Sequence, residues 1–399
     1  MTKVQNNSVT VTKNKNLRLL SVSYTDNKHI TPPLPYSKSV PLGNTTSYSS
    51  NRTNKGEQIT EDELKKLKYD YKKHKCKQKV KIGEFVDRVG YCGTRCINKD
   101  QQSVEVVQGE KGGVYYANMQ RCGSVWFCPD CMYKIMKHRA NDVYRQLKQY
   151  KDKGKTVLFV TFTLQHNQSD RLDKLHTWLL SAFNYANKHR RWTESKKNVP
   201  IQFLRSLEVL KGANGWHPHL HTLFVGDKEI EVSIKTFIGL YKKKLSEYGL
   251  IINEHTVVVD KWNGKLDDMS DYLFKGMIEM EMVGGNLKKS SKGKNFFQLI
   301  DDNDIEAAKE YIKVMKGKRQ YHHSKAFFND IEVKSDAEIL QDDRKVKTLI
   351  SIPIGVYKDI VSKKIALHCL NEYEYGGQDR LIKLLELYDC EADIICFYD

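Results

Sequence analysis

The sequence has no apolar stretch approaching the ~20 residues of a membrane-spanning helix, and its opening, MTKVQNNSVTVTKNKNLRLL, has no signal-peptide core. The expectation is a cytoplasmic protein without a membrane partner. No long internal repeat is evident, which leaves no basis for a repeat architecture. Acidic residues are in deficit, 49 against 66 Lys and Arg, for a formal charge of +17. That balance points toward a polyanionic partner, although a chain this rich in Lys, Asn, Tyr and Ile also has the composition of an AT-rich genome. In a reducing compartment the nine cysteines stay as thiols, so clustered ones read as metal ligands rather than disulfides.

What is present fits a soluble protein of two or three domains: 399 residues, 40% hydrophobic and 29% charged. Residues 1–58, dominated by Ser, Asn, Thr and Lys with Pro32, Pro33 and Pro35, read as a flexible tail. Residues 59–150 read as a cysteine-rich zinc-binding region with flanking helices, near 61–79 and 133–150. Within 151–285 the pattern is strand (155–164), helix (170–189), strands (202–210 and 217–225), helix (231–248), the strand-like EHTVVVDKW, and helix (266–283). That order predicts an α+β fold, a central mainly antiparallel sheet with flanking helices. Residues 286–399 read as a C-terminal region with helices near 303–317 and 376–389, suited to recognition or oligomerisation.

The most informative residues are Gly215-Trp216-His217-Pro218-His219-Leu220-His221, directly before TLFV. Side chains alternate along a strand, so His217, His219 and His221 share one face while Leu220 enters the core. Glu208 lies on the preceding strand, and a hairpin across KGANG brings its carboxylate toward these imidazoles. Two His and a carboxylate with open positions suit a divalent metal acting as a Lewis acid on phosphate oxygen; the spacing alone leaves Mn, Mg and Zn open.

Downstream, Asp268, Tyr272 and Lys275 fall three and four residues apart in a predicted helix and form one polar stripe. A phenol titrates near about 10, so a nucleophilic Tyr272 needs a cation, metal or base nearby. Lys275 supplies charge or contacts the scissile phosphate, and Asp268 orients or deprotonates a water or incoming hydroxyl. The same residues are also ordinary for an exposed helix face with an acidic N-terminus.

Cys92, Cys96, Cys122, Cys128 and Cys131 form a block in which Cys128-Pro-Asp-Cys131 has the spacing that wraps a tetrahedral ion, zinc being the natural candidate. The preferred set is Cys92, Cys122, Cys128 and Cys131, with Cys96 the alternative to Cys92. Such a closed site stabilises the fold, presents Lys134, Lys137 and Arg139 to phosphates, and does no chemistry. Cys76, Cys369, Cys390 and Cys396 read as packing residues.

Taken in order, FVTFTLQH (159–166), LEVLKGANGWHPHLHTLFV and DYLFK resemble the motifs of the rolling-circle replication initiators of small plasmids, within the wider group of nucleases with a His-hydrophobic-His motif and a catalytic Tyr. RCGSVWFCPDC (121–131) and EYIKVMKGKRQYHHSKAF extend the resemblance over about residues 85 to 330. It implies an HUH-endonuclease-like fold, His219 and His221 as ligands of Mn or Mg with Glu208 or His217 completing the set, and attack by Tyr272 on a phosphodiester at a plasmid origin. A 5′-phosphotyrosine and a free 3′-OH primer would result. Asp268 stands where the family carries Glu in some branches for water activation, and no second Tyr stands at helical spacing from Tyr272. The implied partners are single-stranded or hairpin origin DNA with a host helicase and polymerase. Competing readings are a transposase or relaxase of the same chemistry, a non-enzymatic zinc-dependent DNA-binding regulator, and a metallohydrolase of small phosphoesters.

Overall fold

The computed structural model describes residues 9–14, 17–23, 61–109, 113–261, 293–341, 345–390 and 392–398. Asp268, Tyr272 and Lys275, with the helix expected over 266–283, lie outside the described residues. The strands in chain order are β1 (Val9–Asn14), β2 (Leu17–Ser23), β3 (Ser103–Gly109), β4 (Val114–Tyr116), β5 (Thr156–Phe162), β6 (Gln202–Gly212), β7 (Gly215–Gly226), β8 (Val257–Lys261), β9 (Tyr321–His323), β10 (Lys345–Pro353) and β11 (Ala392–Tyr398). They fall into two sheets, each in its own compact unit. The protein is a mixed α+β structure built on largely antiparallel sheets.

The first unit carries the sheet β1-β2-β11-β10-β3-β4, antiparallel except where β11 runs parallel to β2. Val104 and Val106 from β3 and Ile350 and Ile352 from β10 pack against Tyr357 and Ile360 of the Ile354–Ser362 helix and Leu381 and Leu385 of the Ala366–Leu387 helix. That last helix breaks at Gly376 and Gly377, the latter at φ 66°, a conformation that favours glycine. Several strands differ from the sequence reading. Residues 9–14 and 17–23, inside the segment read as a tail, are strands, because VTVT and LRLLSVS are β-branched and apolar runs short enough to be lost among polar neighbours. The chain also continues past its last helix into β11, whose ADIICFY composition is a strand's.

The second unit is built on β8-β5-β7-β6-β9, antiparallel throughout. Its long hairpin sets the geometry of everything that follows. β6 and β7 pair without a register break from Gln202↔Val225 to Gly212↔Gly215, closing across Ala213 and Asn214. One face of the sheet presents Phe162, Phe203 and Phe224, which interlock edge to face with Phe183 of the Leu172–Lys188 helix, Trp192 of the Arg190–Asn198 helix and Phe237 of the Ile230–Glu247 helix. Burying side chains of this size contributes about 2–3 kcal/mol each, so the aromatic layer holds the hairpin rigidly from one side. Among the described residues no helix is long and apolar enough to cross a membrane.

Candidate metal centre

The opposite face of the β6–β7 hairpin carries polar residues. Cross-strand partners share a face, and the register places Glu208 opposite His219 and Ser206 opposite His221, while Leu207 and Leu220 turn into the aromatic core. Glu208 Oε2 lies 2.6 Å from His219 Nε2 and 3.2 Å from His221 Nε2. Glu208, His219 and His221 each offer a ligand atom, all within 4.8 Å of one another, and this group can hold a metal ion.

The surroundings orient each donor. Thr161 of β5 sits opposite His221, and its Oγ1 is 3.2 Å from His221 Nδ1. His219 Nδ1 faces the His217 carbonyl at 3.4 Å. Nδ1 hydrogens directed to these oxygens would free both Nε2 lone pairs for a metal, whereas without one the Nε2–H groups donate to Glu208. Phe159 stacks on the His221 ring at 5.5 Å and shields it. Burial works to raise the Glu208 pKa, but hydrogen bonds from His219 and His221 and the charge of those rings hold it well below the usual carboxylate range. Burial lowers the pKa of His221, with Glu208 acting in the opposite sense. The carboxyl is thus held as an anion, the form in which it can be a metal ligand.

His217 shares the face but not the cluster. Its ring lies 4.8 Å from that of His166, the last residue of FVTFTLQH. Burial, followed by the charges of His219 and His166, pulls the His217 pKa down to about 4. Of the two residues the sequence left as the third ligand, the structure brings Glu208 to the pair and sets His217 against His166.

Sequence reasoning missed three supporting residues. Thr161 lies in a motif that was singled out, and its odd position within β5 could have placed it beside the His row. Glu310 accepts hydrogen bonds at 2.8 Å from both the Leu172 backbone N–H and Trp216 Nε1, tying the start of one helix to the strand that carries the histidines. Nothing local to Glu310 signals this. Gly215, at φ 89°, lies so close to the 167–168 loop that a Cβ would stand 2.6 Å from the Asn167 carbonyl oxygen.

A second group comprises Cys92 and Cys122 of the first unit and Cys128 and Cys131 of the second, all buried. Cys128 is the N-cap of the Pro129–Asp152 helix and Cys131 lies in its first turn, where the helix dipole favours thiolate. The Cys122 backbone N–H points to Cys92 Sγ at 3.4 Å. Cys96 stands outside the group, bridged through its backbone to Met119. Cys369 and Cys390 are buried as expected of packing residues; Cys76 is exposed. Arg139 is held bidentately by Asp336 and Lys134 donates to the Leu340 carbonyl, so two of the three cations expected to meet phosphate are engaged within the protein.

With this geometry in place, comparison with known proteins is decisive. Residues 115–349, which span the metal-competent hairpin, match the family described as "Replication protein". The chain belongs to this replication protein family. It is 27% identical to a "Protein rep" of Streptomyces lividans, over 35% of this chain and 37% of that protein. It is also 23% identical to a "Neomycin resistance protein" of Streptomyces cyanogenus, over 30% of this chain and 35% of that one. The matched region thus spans little more than a third of either relative. No solved structure matches the chain.

Proposed function

We propose that this replication protein is a plasmid replication initiator of HUH-endonuclease type that cuts one DNA strand at an origin and later rejoins it. The observation that carries the reading is the convergence of Glu208, His219 and His221 on one face of the β6–β7 hairpin, in a chain of the replication protein family. A compact set of one carboxylate and two imidazoles with room for further ligands fits Mn or Mg, which when bound would polarise the scissile phosphate. Thr161 and the His217 carbonyl orient the donors, the Glu208 charge balances the ion, and Phe159 excludes water from one side.

The nucleophile is Tyr272. It follows the end of β8, at Lys261, by 11 residues, a reach of up to about 36 Å in extended chain, and β8 borders β5 directly beside the Thr161–His221 pair. The Tyr272 phenolate oxygen forms a bond to phosphorus as the bond to the 3′ oxygen breaks; the leaving oxygen takes a proton to become the 3′-OH primer, and the 5′ phosphate stays on the tyrosine. Lys275 contacts the phosphate, and Asp268 orients the water or hydroxyl that later releases it. The substrate is single-stranded or hairpin DNA at the origin, and a host helicase and polymerase extend the primer.

The cysteine group suits structural zinc, since four thiols with the Cys128-Pro-Asp-Cys131 spacing can supply a closed tetrahedral set. Residues 151–285 are proposed as the nuclease portion, 59–150 as the zinc-binding region, and 286–399 as the portion for origin recognition or oligomerisation. The test is incubation with labelled single-stranded oligonucleotides tiling the candidate origin, with Mn, Mg or chelator. Site-specific cleavage that needs metal and is lost in His219→Ala and Glu208→Gln supports the reading; cleavage indifferent to both substitutions overturns it.

A further inference from the structure

The helix-covered face of the same sheet holds a cluster of cationic and polar groups with no acidic counterpart among the described residues. Arg205 of β6 is paired in register with Thr222 of β7 on one side and His322 of β9 on the other, so the three side chains share that face. The Arg205 guanidinium lies over the Phe183 ring, 5.1 Å from its centroid, which places it against the Leu172–Lys188 helix. His176, two turns earlier on that helix, is only 5% exposed. Lys318 and Arg319 lie in the exposed turn just before β9.

Three atoms at this place are buried without a partner: Arg205 Nε, His176 Nε2 and Thr222 Oγ1. Among the described residues the Arg205 side chain has no ion pair or hydrogen bond. Burial pulls its pKa down to about 10 with no carboxylate working to raise it. His176 is pulled down to about 4 by burial and then by the charges of Lys318 and Arg205, and His322 is lowered by burial and then by Arg205, His323 and Arg319. Every charge acting on these imidazoles is positive. Arg205 as a whole is half-buried, but a guanidinium N–H cut off from water is costly unless paired. Neighbouring orphaned donors make the same demand.

We propose that Arg205, His176, Thr222, His322 and Lys318 form a binding site for a phosphate group, on the face of the sheet opposite Glu208, His219 and His221. A tetrahedral oxyanion takes charge-assisted hydrogen bonds from a guanidinium fork and completes the orphaned hydroxyl and imidazole donors together. The phosphate belongs to a DNA strand passing along the β9 edge of the sheet, where Lys318 is exposed, an assignment that rests on the function proposed above; the same chemistry would also accept a free phosphate or nucleotide.

The test uses the full chain and two probes. Inorganic phosphate is titrated at constant ionic strength while the melting temperature is followed, and a fluorescent single-stranded oligonucleotide is titrated by anisotropy across a salt series. Wild type is compared with Arg205→Gln, Arg205→Lys and Lys318→Gln, with manganese binding as the check that the hairpin is intact. The site predicts phosphate stabilisation weakened at least about 10-fold in Arg205→Gln, partly kept in Arg205→Lys, and weakened several-fold in Lys318→Gln. A strand phosphate further predicts a salt slope lower by ~0.7 in Arg205→Gln. Loss of the phosphate response with unchanged oligonucleotide binding assigns the site to a free phosphate. Identical phosphate titrations in wild type and Arg205→Gln overturn the site, and should Arg205→Gln fail to fold, an unchanged response in Lys318→Gln does so. The phosphate arm needs no cleavage, so a chain that binds phosphate here but cuts no DNA removes the nicking reading and leaves the site standing.

Discussion

Glu208 Oε2 stands 2.6 Å from His219 Nε2, across a strand pair whose register sets the two residues directly opposite each other. The same oxygen also meets His221. One carboxylate oxygen shared by two imidazole nitrogens is the arrangement that a metal ion would separate and occupy. Glu208→Gln keeps the shape and removes the charge. Because loss of an outer-shell partner alone typically weakens metal binding about 10–100-fold, we expect manganese affinity measured by calorimetry to fall by more than about 100-fold. An unchanged affinity would place the metal elsewhere.

Gly215 predicts a structural sensitivity. Its φ of 89° and the Asn167 oxygen 2.6 Å from where a Cβ would stand leave no room for a methyl group. Gly215→Ala is expected to cost about 2–3 kcal/mol in chemical denaturation and to weaken metal binding, since the turn leads directly into the histidine strand. A neutral substitution would mean that the turn is not held against the 167–168 loop.

Acid sensitivity follows from His176. Its folded pKa of about 4 lies below the ordinary 6.5, so the unfolded chain binds the proton more readily. Stability is therefore full above pH 6.5 and is lost as pH falls from 6.5 toward 4, by about 3 kcal/mol for this group. His176→Gln should flatten that part of the pH profile of denaturation midpoints; an unaltered profile would contradict the burial of a neutral imidazole.

The cysteine group makes a compositional prediction. Purified protein should contain one zinc per chain, with Cys128→Ser or Cys122→Ser losing it and unfolding at lower denaturant, while Cys96→Ser keeps it. Elemental analysis decides between the sets, and zinc retained in Cys128→Ser but lost in Cys96→Ser would reverse the assignment.

The metal hairpin was legible in sequence because both of its signals are local. Alternation places His217, His219 and His221 on one face, and the short KGANG turn fixes which β6 residue lies opposite. What alternation cannot decide is which side-chain neighbours come from distant segments. His166 takes His217 as its neighbour, and Glu310 reaches Trp216 across 94 positions. The first unit's sheet was largely illegible for the same reason, since β3 pairs with β10 and β2 with β11, strands far apart in sequence and short enough to pass for loops. The phosphate cluster could not be read at all, because His176, Arg205 and His322 meet only once the helix and β9 close over β6.

The central claim is that Tyr272 attacks the strand under the control of the Glu208, His219 and His221 centre. The most direct measurement is denaturing electrophoresis and peptide mass spectrometry of the protein after reaction with a 3′-labelled origin oligonucleotide and manganese, for wild type and Tyr272→Phe. The account predicts a labelled covalent adduct on the Tyr272 peptide in wild type and none in Tyr272→Phe; an adduct that persists in the variant, or cleavage with no adduct in wild type, would contradict it.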